Sequence, residues 1–200
     1  MDEQALIHAA QQGDVAAFNQ IVRAYQAQVY RTAYRVLGDQ AAAEDATQEA
    51  FISAFKHIRA YRGGSFKAWL LRIVTNACYD QLRAKQRRPT ASLEAILLDA
   101  DNPAPGVDRA APESPQDFVE RQELGATIQR GLGTLPPDQR MTLILVDIEG
   151  LSYDEVAQAM QTNLGTVKSR LSRARLALRD FLVQQVELVP ARYRLKSEPF

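Results

Sequence analysis

Residues Leu151–Leu182 read LSYDEVAQAMQTNLGTVKSRLSRARLALRDFL, and the fold turns on how this stretch divides. Ser152 followed three residues later by Glu155 is a capping box: the hydroxyl takes an orphan backbone amide and the carboxylate reaches back. Val156, Ala157 and Met160 then make a short apolar stripe. Gln161-Thr162-Asn163 breaks the pattern, with Thr162 a candidate N-cap for the next helix. In that helix Leu164, Val167, Leu171, Ala174, Leu178 and Leu182 recur at spacings of three and four, which predicts one buried face. Lys168, Ser169, Ser172 and Arg173 fall opposite, Arg170, Arg175 and Arg179 lie on the flanks, and no acidic residue occurs from Leu164 to Arg179. Long cations reach phosphates and guanine edges, and short hydroxyls permit close approach, so the pattern suits a helix-turn-helix entering a DNA major groove. A solvated basic face on an ordinary helical bundle gives the same spacing.

The 200 residues are 46% hydrophobic and 24% charged with a formal net charge of zero, which bounds the chain to one or two domains with enough length for a core. The charge is segregated. Acidic residues gather from Asp39 to Glu49 and between Glu94 and Glu123, basic ones from Arg62 to Arg88 and from Lys168 to Arg179. Local patches rather than the sum set what a surface attracts. The single cysteine, Cys78, excludes an intramolecular disulfide, fits a reducing cytoplasm and reads as a buried apolar filler. Met1 leads into Asp2 and Glu3 rather than a basic and then apolar leader, and no run approaches the roughly 18 apolar residues of a membrane span. A cytoplasmic protein without membrane insertion is expected. No Gly-rich phosphate loop, metal-ligand cluster or nucleophile–base constellation is present in the sequence, so neither an enzyme nor a cofactor is expected.

Upstream of the anchor the periodicity is helical throughout. A short helix is expected from Glu3 to Gln12. A longer one from Asp14 to about Leu37 repeats Phe18, Ile21, Val22, Tyr25, Val29, Tyr30, Ala33 and Val36 at helical spacing, and Gly38 ends it. A third, Ala41 to His57, has Ala46, Ala50, Phe51, Ala54 and Phe55 as apolar positions. Asp45, Gln48, Glu49 and Ile52 share its other side, an acidic amphipathic face for a basic partner helix or simply for solvent. Tyr61-Arg62-Gly63-Gly64-Ser65 is a loop, since paired glycines are costly inside a helix. Ser65 caps a helix from Phe66 to about Lys85. Aromatic and cationic residues alternate here: Tyr61, Arg62, Phe66, Lys67, Trp69, Arg72, Asn76 and Arg83. Stacking faces beside cations are what a single-stranded nucleic acid site requires, although Phe66 and Trp69 equally suit a core. Pro89 to Pro115 is Pro-rich and acidic and reads as a linker. Gln116 to Leu132 and Pro137 to Ile148 are helical again.

Three of these stretches resemble one family, the sigma factors of bacterial RNA polymerase, in the extracytoplasmic-function group of the sigma-70 family. AEDATQEAFISAF (Ala43 to Phe55) resembles its core-polymerase-binding helix, and YRGGSFKAWLLRIVTNACYDQLRAKQRR (Tyr61 to Arg88) its promoter-melting and minus-10-reading segment. LPPDQRMTLILVDIEGLSYDEVA and GTVKSRLSRAR, within Leu135 to Arg175, resemble its minus-35-reading domain. The resemblance implies an all-α fold of two small helical domains, residues 1–88 and 116–186, with a flexible linker at 89–115 and a tail at 187–200. It implies that Asp45, Gln48, Glu49, Phe51 and Ile52 meet core polymerase. The loop Tyr61, Arg62, Gly63, Gly64, Ser65 and Phe66 would hold a flipped minus-10 base, with Lys67, Trp69, Arg72, Asn76 and Arg83 on the strand and adjoining duplex. Thr166, Lys168, Ser169, Ser172 and Arg173 would meet the minus-35 element, with Arg170 and Arg175 near phosphate. The partners implied are core RNA polymerase (beta-prime clamp and beta flap), promoter DNA as duplex and single strand, and an anti-sigma factor. A stand-alone helix-turn-helix regulator is the alternative. Two departures matter: the tail after about Val186 is extra to the family pattern, and the family's inter-helix turn usually carries a glycine and then a proline, where this chain has Gln161 and Asn163. A non-glycine residue at positive φ is costly, so the aim of the recognition helix is where the expectation is weakest.

Overall fold

The computed structural model describes residues 2–87 and 115–185, and among them every regular element is a helix. The N-terminal half holds α1 (Glu3–Gln11), α2 (Val15–Leu37), α3 (Gln40–His57), a single 3-10 turn (Ile58–Ala60) and α4 (Phe66–Arg87). The C-terminal half holds α5 (Pro115–Thr134), α6 (Pro137–Leu143) with a π turn (Ile144–Ile148), α7 (Tyr153–Ala159) and α8 (Leu164–Gln184). The linker assigned from sequence up to residue 114, and the tail, lie outside the described residues, and Pro115, assigned to the linker, is instead the first residue of α5.

Local chemistry sets the helix ends. Asp2, Asp14 and Asp39 each accept backbone amides as N-caps of α1, α2 and α3, and such caps stabilise a helix by about 1 kcal/mol each. Gly38, at φ 67°, ends α2 in the left-handed conformation that glycine adopts without strain. Ser65 Oγ accepts the Ala68 amide at the start of α4. The Ser152–Glu155 capping box is present in full.

Two expectations are corrected here. Asn163, not Thr162, caps α8, its Oδ1 accepting the Thr166 amide at 2.8 Å. The helix expected to end at Leu132 continues to Thr134 as α5. The helix opened by Pro137 does reach Ile148, but its last five residues form a π turn, closed by the Glu149 amide on the Ile144 carbonyl at 2.9 Å.

The core of the N-terminal half is built from small and branched residues: Ala43, Ala46, Ala50 and Ala54 line the inner face of α3, so α2, α3 and α4 approach closely around Val29, Val36, Leu70 and Val74. Cys78 is fully buried in α4, and burial pushes its thiol up to about 12. In the C-terminal half α6, α7 and α8 close around Met141, Ile144, Leu145, Val156, Val167, Leu171 and Ala174. Leu164, expected in the buried face of α8, is 39% exposed because it sits at the first helical position, before that face meets its neighbours.

The halves also touch each other: α7 lies on α4, and α5, α6 and the π turn lie on α2. Arg140 Nη1 donates to the Val36 carbonyl at 2.6 Å, and Gln129 Nε2 reaches the Tyr34 and Arg35 carbonyls. The Tyr34 carbonyl already accepts the Gly38 amide, whereas the Arg35 and Val36 carbonyls are orphan acceptors of the last turn of α2, so the C-terminal half supplies part of that helix's C-terminal capping.

Candidate polymerase and nucleic-acid interfaces

Three surfaces carry the candidate residues. On α3, Asp45, Gln48, Glu49 and Ile52 are exposed on one side, and Phe51 is half-buried against the core. Phe55, read from sequence as a core position, is 45% exposed, three residues beyond Ile52, which is 48% exposed. Its ring meets Phe18 edge to face at 5.0 Å, so one face is supported and the other is open. The α3 surface is therefore acidic at its N-terminal end and apolar toward its C-terminal end. Phe55 is not among the interface residues expected from sequence, and its three-residue spacing from Ile52 is the signal that would have placed it on this face.

The loop before α4 is held from below. Gly63 and Gly64 have φ of 99° and 91°, and a Cβ on either would meet nothing within 4 Å, so what requires glycine there is the backbone conformation. Tyr61 Oη donates to the Gly64 carbonyl at 2.7 Å, and Gln11 Nε2 donates to the Ile58 and Tyr61 carbonyls at 3.1 and 2.9 Å. Tyr61, Phe66 and Trp69 pack their rings at centroid separations of 5.3–5.4 Å. Tyr61 and Phe66 are buried, 6% and 2% exposed, which corrects their assignment as open stacking faces: as folded they support the loop, and Trp69 is half-buried. Arg62, Gly63, Gly64, Ser65, Arg72, Asn76 and Arg83 are exposed. A cleft of about 300 Å³ opens between this loop and α1, lined by Gln4, Ile7, His8, Gln11, Tyr61, Arg62 and Gly63. The α1 wall was not foreseen, because nothing in the periodicity of α1 marks its polar residues as neighbours of a loop fifty positions on.

On α8, Lys168, Ser169, Ser172 and Arg173 are exposed, while Thr166 is half-buried beside the Asn163 cap. The flanking arginines are engaged within the same half. Arg175 grips Asp147 through Nε and Nη2 at 2.9 and 2.6 Å, and that hydrogen bond raises its guanidinium above the usual range. Arg170 pairs with Asp138, whose other oxygen accepts from Tyr79 of α4 at 2.7 Å. Burial, with Asp138 beside it, raises the Tyr79 phenol. Neither arginine is free for a phosphate as the chain stands. Gln161, between α7 and α8, has φ 50°, the left-handed conformation that the sequence departure raised.

The Sigma-70 region 2 profile matches residues 21–88, and the Sigma-70 region 4 profile matches residues 126–178. The ECF RNA polymerase sigma-E factor of Escherichia coli is 36% identical over 181 residues, covering 89% of this chain and 93% of that protein. The chain belongs to the extracytoplasmic-function group of the sigma-70 family. ECF RNA polymerase sigma factor SigE of Mycolicibacterium smegmatis is 42% identical over 175 residues, covering 86% of this chain and 65% of that protein. The chain thus spans about two-thirds of that relative's length. Among solved structures, the sigma factor RpoE in complex with the anti-sigma factor NepR from Bartonella quintana superposes with a TM-score of 0.62 at 27% identity, covering 84% of this chain and 98% of that one. The all-α, two-domain architecture expected from the sequence is that of the family, and the helix-turn-helix is α7, the Gln161 turn and α8. Among the described residues no helix is long and apolar enough to cross a membrane.

Proposed function

We propose that the chain is the promoter-specificity subunit of an RNA polymerase: residues 1–88 join core polymerase and capture the minus-10 strand, residues 116–186 read the minus-35 duplex, and residues 89–115 connect them. The observation that carries this reading is the exposure of the α3 face and of Lys168, Ser169, Ser172 and Arg173 in the order in which the family uses those surfaces. Asp45, Gln48, Glu49, Ile52 and Phe55 meet the polymerase clamp, with Phe51 fixing the helix beneath them. The loop Tyr61–Phe66 receives an unstacked base above its aromatic support, and Arg72, Asn76 and Arg83 hold the strand. Lys168, Ser169, Ser172 and Arg173 approach base edges, where a good bidentate contact is worth about 1–3 kcal/mol of discrimination.

The protein performs no bond chemistry: binding free energy at two DNA sites, one duplex and one single-stranded, replaces base stacking lost on melting. It works in the cytoplasm, where polymerase is, and, like the Bartonella relative solved with NepR, is held by an anti-sigma protein until needed. Reconstitution with core polymerase and run-off transcription from a matched promoter tests the reading. The chain joins the enzyme and directs a start, and Gln48→Ala with Glu49→Ala lowers its affinity for core without loss of helicity. A chain that binds duplex tightly alone and ignores core polymerase is a stand-alone regulator instead.

A further inference from the structure

The loop Tyr61–Ser65 carries minus-10 candidates, yet its glycines are not fixed by packing. Gly63 and Gly64 sit at φ 99° and 91° with open space where a Cβ would stand. Glycine reaches many conformations at similar cost, so such a loop keeps one shape only where other groups pin it. Gln11, at the end of α1, supplies a pin from 47 and 50 positions away: its Nε2 donates to the Ile58 carbonyl at 3.1 Å and to the Tyr61 carbonyl at 2.9 Å. A carboxamide nitrogen carries two hydrogens, and here one goes to each end of the 3-10 turn. The Tyr61 amide closes that turn on the Ile58 carbonyl at 3.1 Å. Tyr61 then leaves it in extended conformation, at ψ 124°, and its hydroxyl donates to Gly64. Gln11 and Tyr61 together thus hold the loop at three carbonyls.

The helix that carries Gln11 is a firm base. Ile7 and Ala10 are 3% exposed, and Tyr25 of α2 donates to Glu3 at 2.5 Å. Gln4, Ile7 and His8 of α1 wall the cleft on one side, Tyr61, Arg62 and Gly63 on the other, and Gln11 joins the two. The region 2 profile begins at residue 21, so α1 precedes it. We propose that Gln11 is a positioning residue for minus-10 capture, acting through the loop that it braces, with both of its donors engaged on backbone carbonyls. That role rests on the reading of the loop as the base-receiving segment; the brace itself does not. Ordering a loop before its ligand arrives removes a cost from binding. A loop that kept the receptive shape about one-tenth of the time would lower apparent affinity about ten-fold. Arg72, Asn76 and Arg83 stand on α4, outside the loop, so contacts along the strand are spared.

The test uses the full chain and its Gln11→Ala, Gln11→Met and Gln12→Ala variants, each joined to core polymerase. Methionine keeps the helix propensity of glutamine and lacks its donors, so it decides the matter if circular dichroism shows the alanine variant to be poorly folded. Gln12 is exposed at the end of α1, and its substitution is expected to change nothing. Fluorescence anisotropy reads the affinity of a labelled single-stranded minus-10 oligonucleotide and of versions made abasic at one position each. In wild type, the abasic position that costs most marks the inserted base. Both Gln11 variants are expected to bind the intact strand about ten-fold more weakly than wild type, and that abasic strand equally well. A loss shared by both strands, or no loss, overturns the positioning role. Hydrogen exchange at the Tyr61 amide, read without DNA, is expected to quicken in both Gln11 variants, and unchanged exchange overturns the brace. A wild type indifferent to every abasic position sinks base capture by this loop, and the positioning role with it, even where exchange shows the brace in place.

Discussion

Gln161 allows a sharp stability prediction. Its φ of 50° puts a residue with a Cβ in the left-handed region, which costs an L-residue roughly 1–2 kcal/mol. The side chain is exposed, and the backbone amide bonds to the Gln158 carbonyl at 3.3 Å, a contact any residue can make. Glycine removes the strain but widens the unfolded ensemble, giving back about 0.5–1 kcal/mol. Gln161→Gly is therefore expected to stabilise the fold by about 0.5–1 kcal/mol, a rise in midpoint temperature of about 1–4 °C for a chain of this size. Gln161→Ala is the control: it shortens the side chain but keeps the Cβ, so it stays within about 0.5 kcal/mol of wild type, as exposed substitutions do. Urea titration of the three chains, with equal m-values required for the comparison, gives the answer. A glycine variant no more stable than the alanine variant would refute the claim that this turn stores backbone strain.

The remaining predictions concern packing and charge. Asp147→Asn releases Arg175, and one added phosphate contact steepens the dependence of log K on log salt by about 0.9, a relative gain of about 3.5-fold between 200 and 50 mM salt; an unchanged slope in filter-binding or anisotropy titrations on a minus-35 duplex would show that Arg175 meets no phosphate. Gly131→Ala brings a Cβ within 2.6 Å of Leu178 Cδ1 and 2.8 Å of Phe181 Cδ1. Crowding of about 1–3 kcal/mol outweighs the helix-propensity gain of about 1 kcal/mol, so denaturation is expected to show a net loss near 1 kcal/mol, and a net gain would mean that both side chains swing aside. Cys78 resists alkylation at pH 8 in the folded chain and reacts once urea unfolds it, as thiol labelling followed by mass spectrometry reads directly. The folded thiol keeps its proton to about 12, whereas the unfolded one releases it near about 8.5. The folded state therefore binds the extra proton in that window, and the Cys78 contribution to stability falls as pH rises through it.

Helix positions and the recognition face were legible because they depend on neighbours three and four residues apart. Lys168, Ser169, Ser172 and Arg173 are exposed where periodicity put them, and Asp14, Ser65 and Ser152 cap where short side chains precede apolar runs. What the sequence concealed depends on contacts across the fold. Trp69 is three residues from Phe66 on one helix, but nothing near Phe66 in sequence says that Tyr25 of α2 closes over it from the other side, so stacking platform and core read alike. Asp138 and Asp147 lie 32 and 28 positions from the arginines they hold, and the acid-free run in α8 gave no hint that its flanking charges are engaged. Glu149 looked like one more acid before a glycine, because its donors at positions 28, 32, 35 and 67 belong to the other half.

The π turn at Ile144–Ile148 has a consequence for what changes this chain tolerates. It holds one residue more than an α-helical turn requires, and the wider loop takes up that surplus within a single circuit. Deleting one of its residues would leave a regular turn, which closes in about 3.6 residues what the wide turn closes in about one more. Glu149 and the helix-turn-helix would then keep nearly the same bearing on the rest of the fold. The same deletion in a regular stretch of α5 or α8 would turn everything after it by about 100°. The π turn is therefore where this chain absorbs a one-residue change in length with least disturbance.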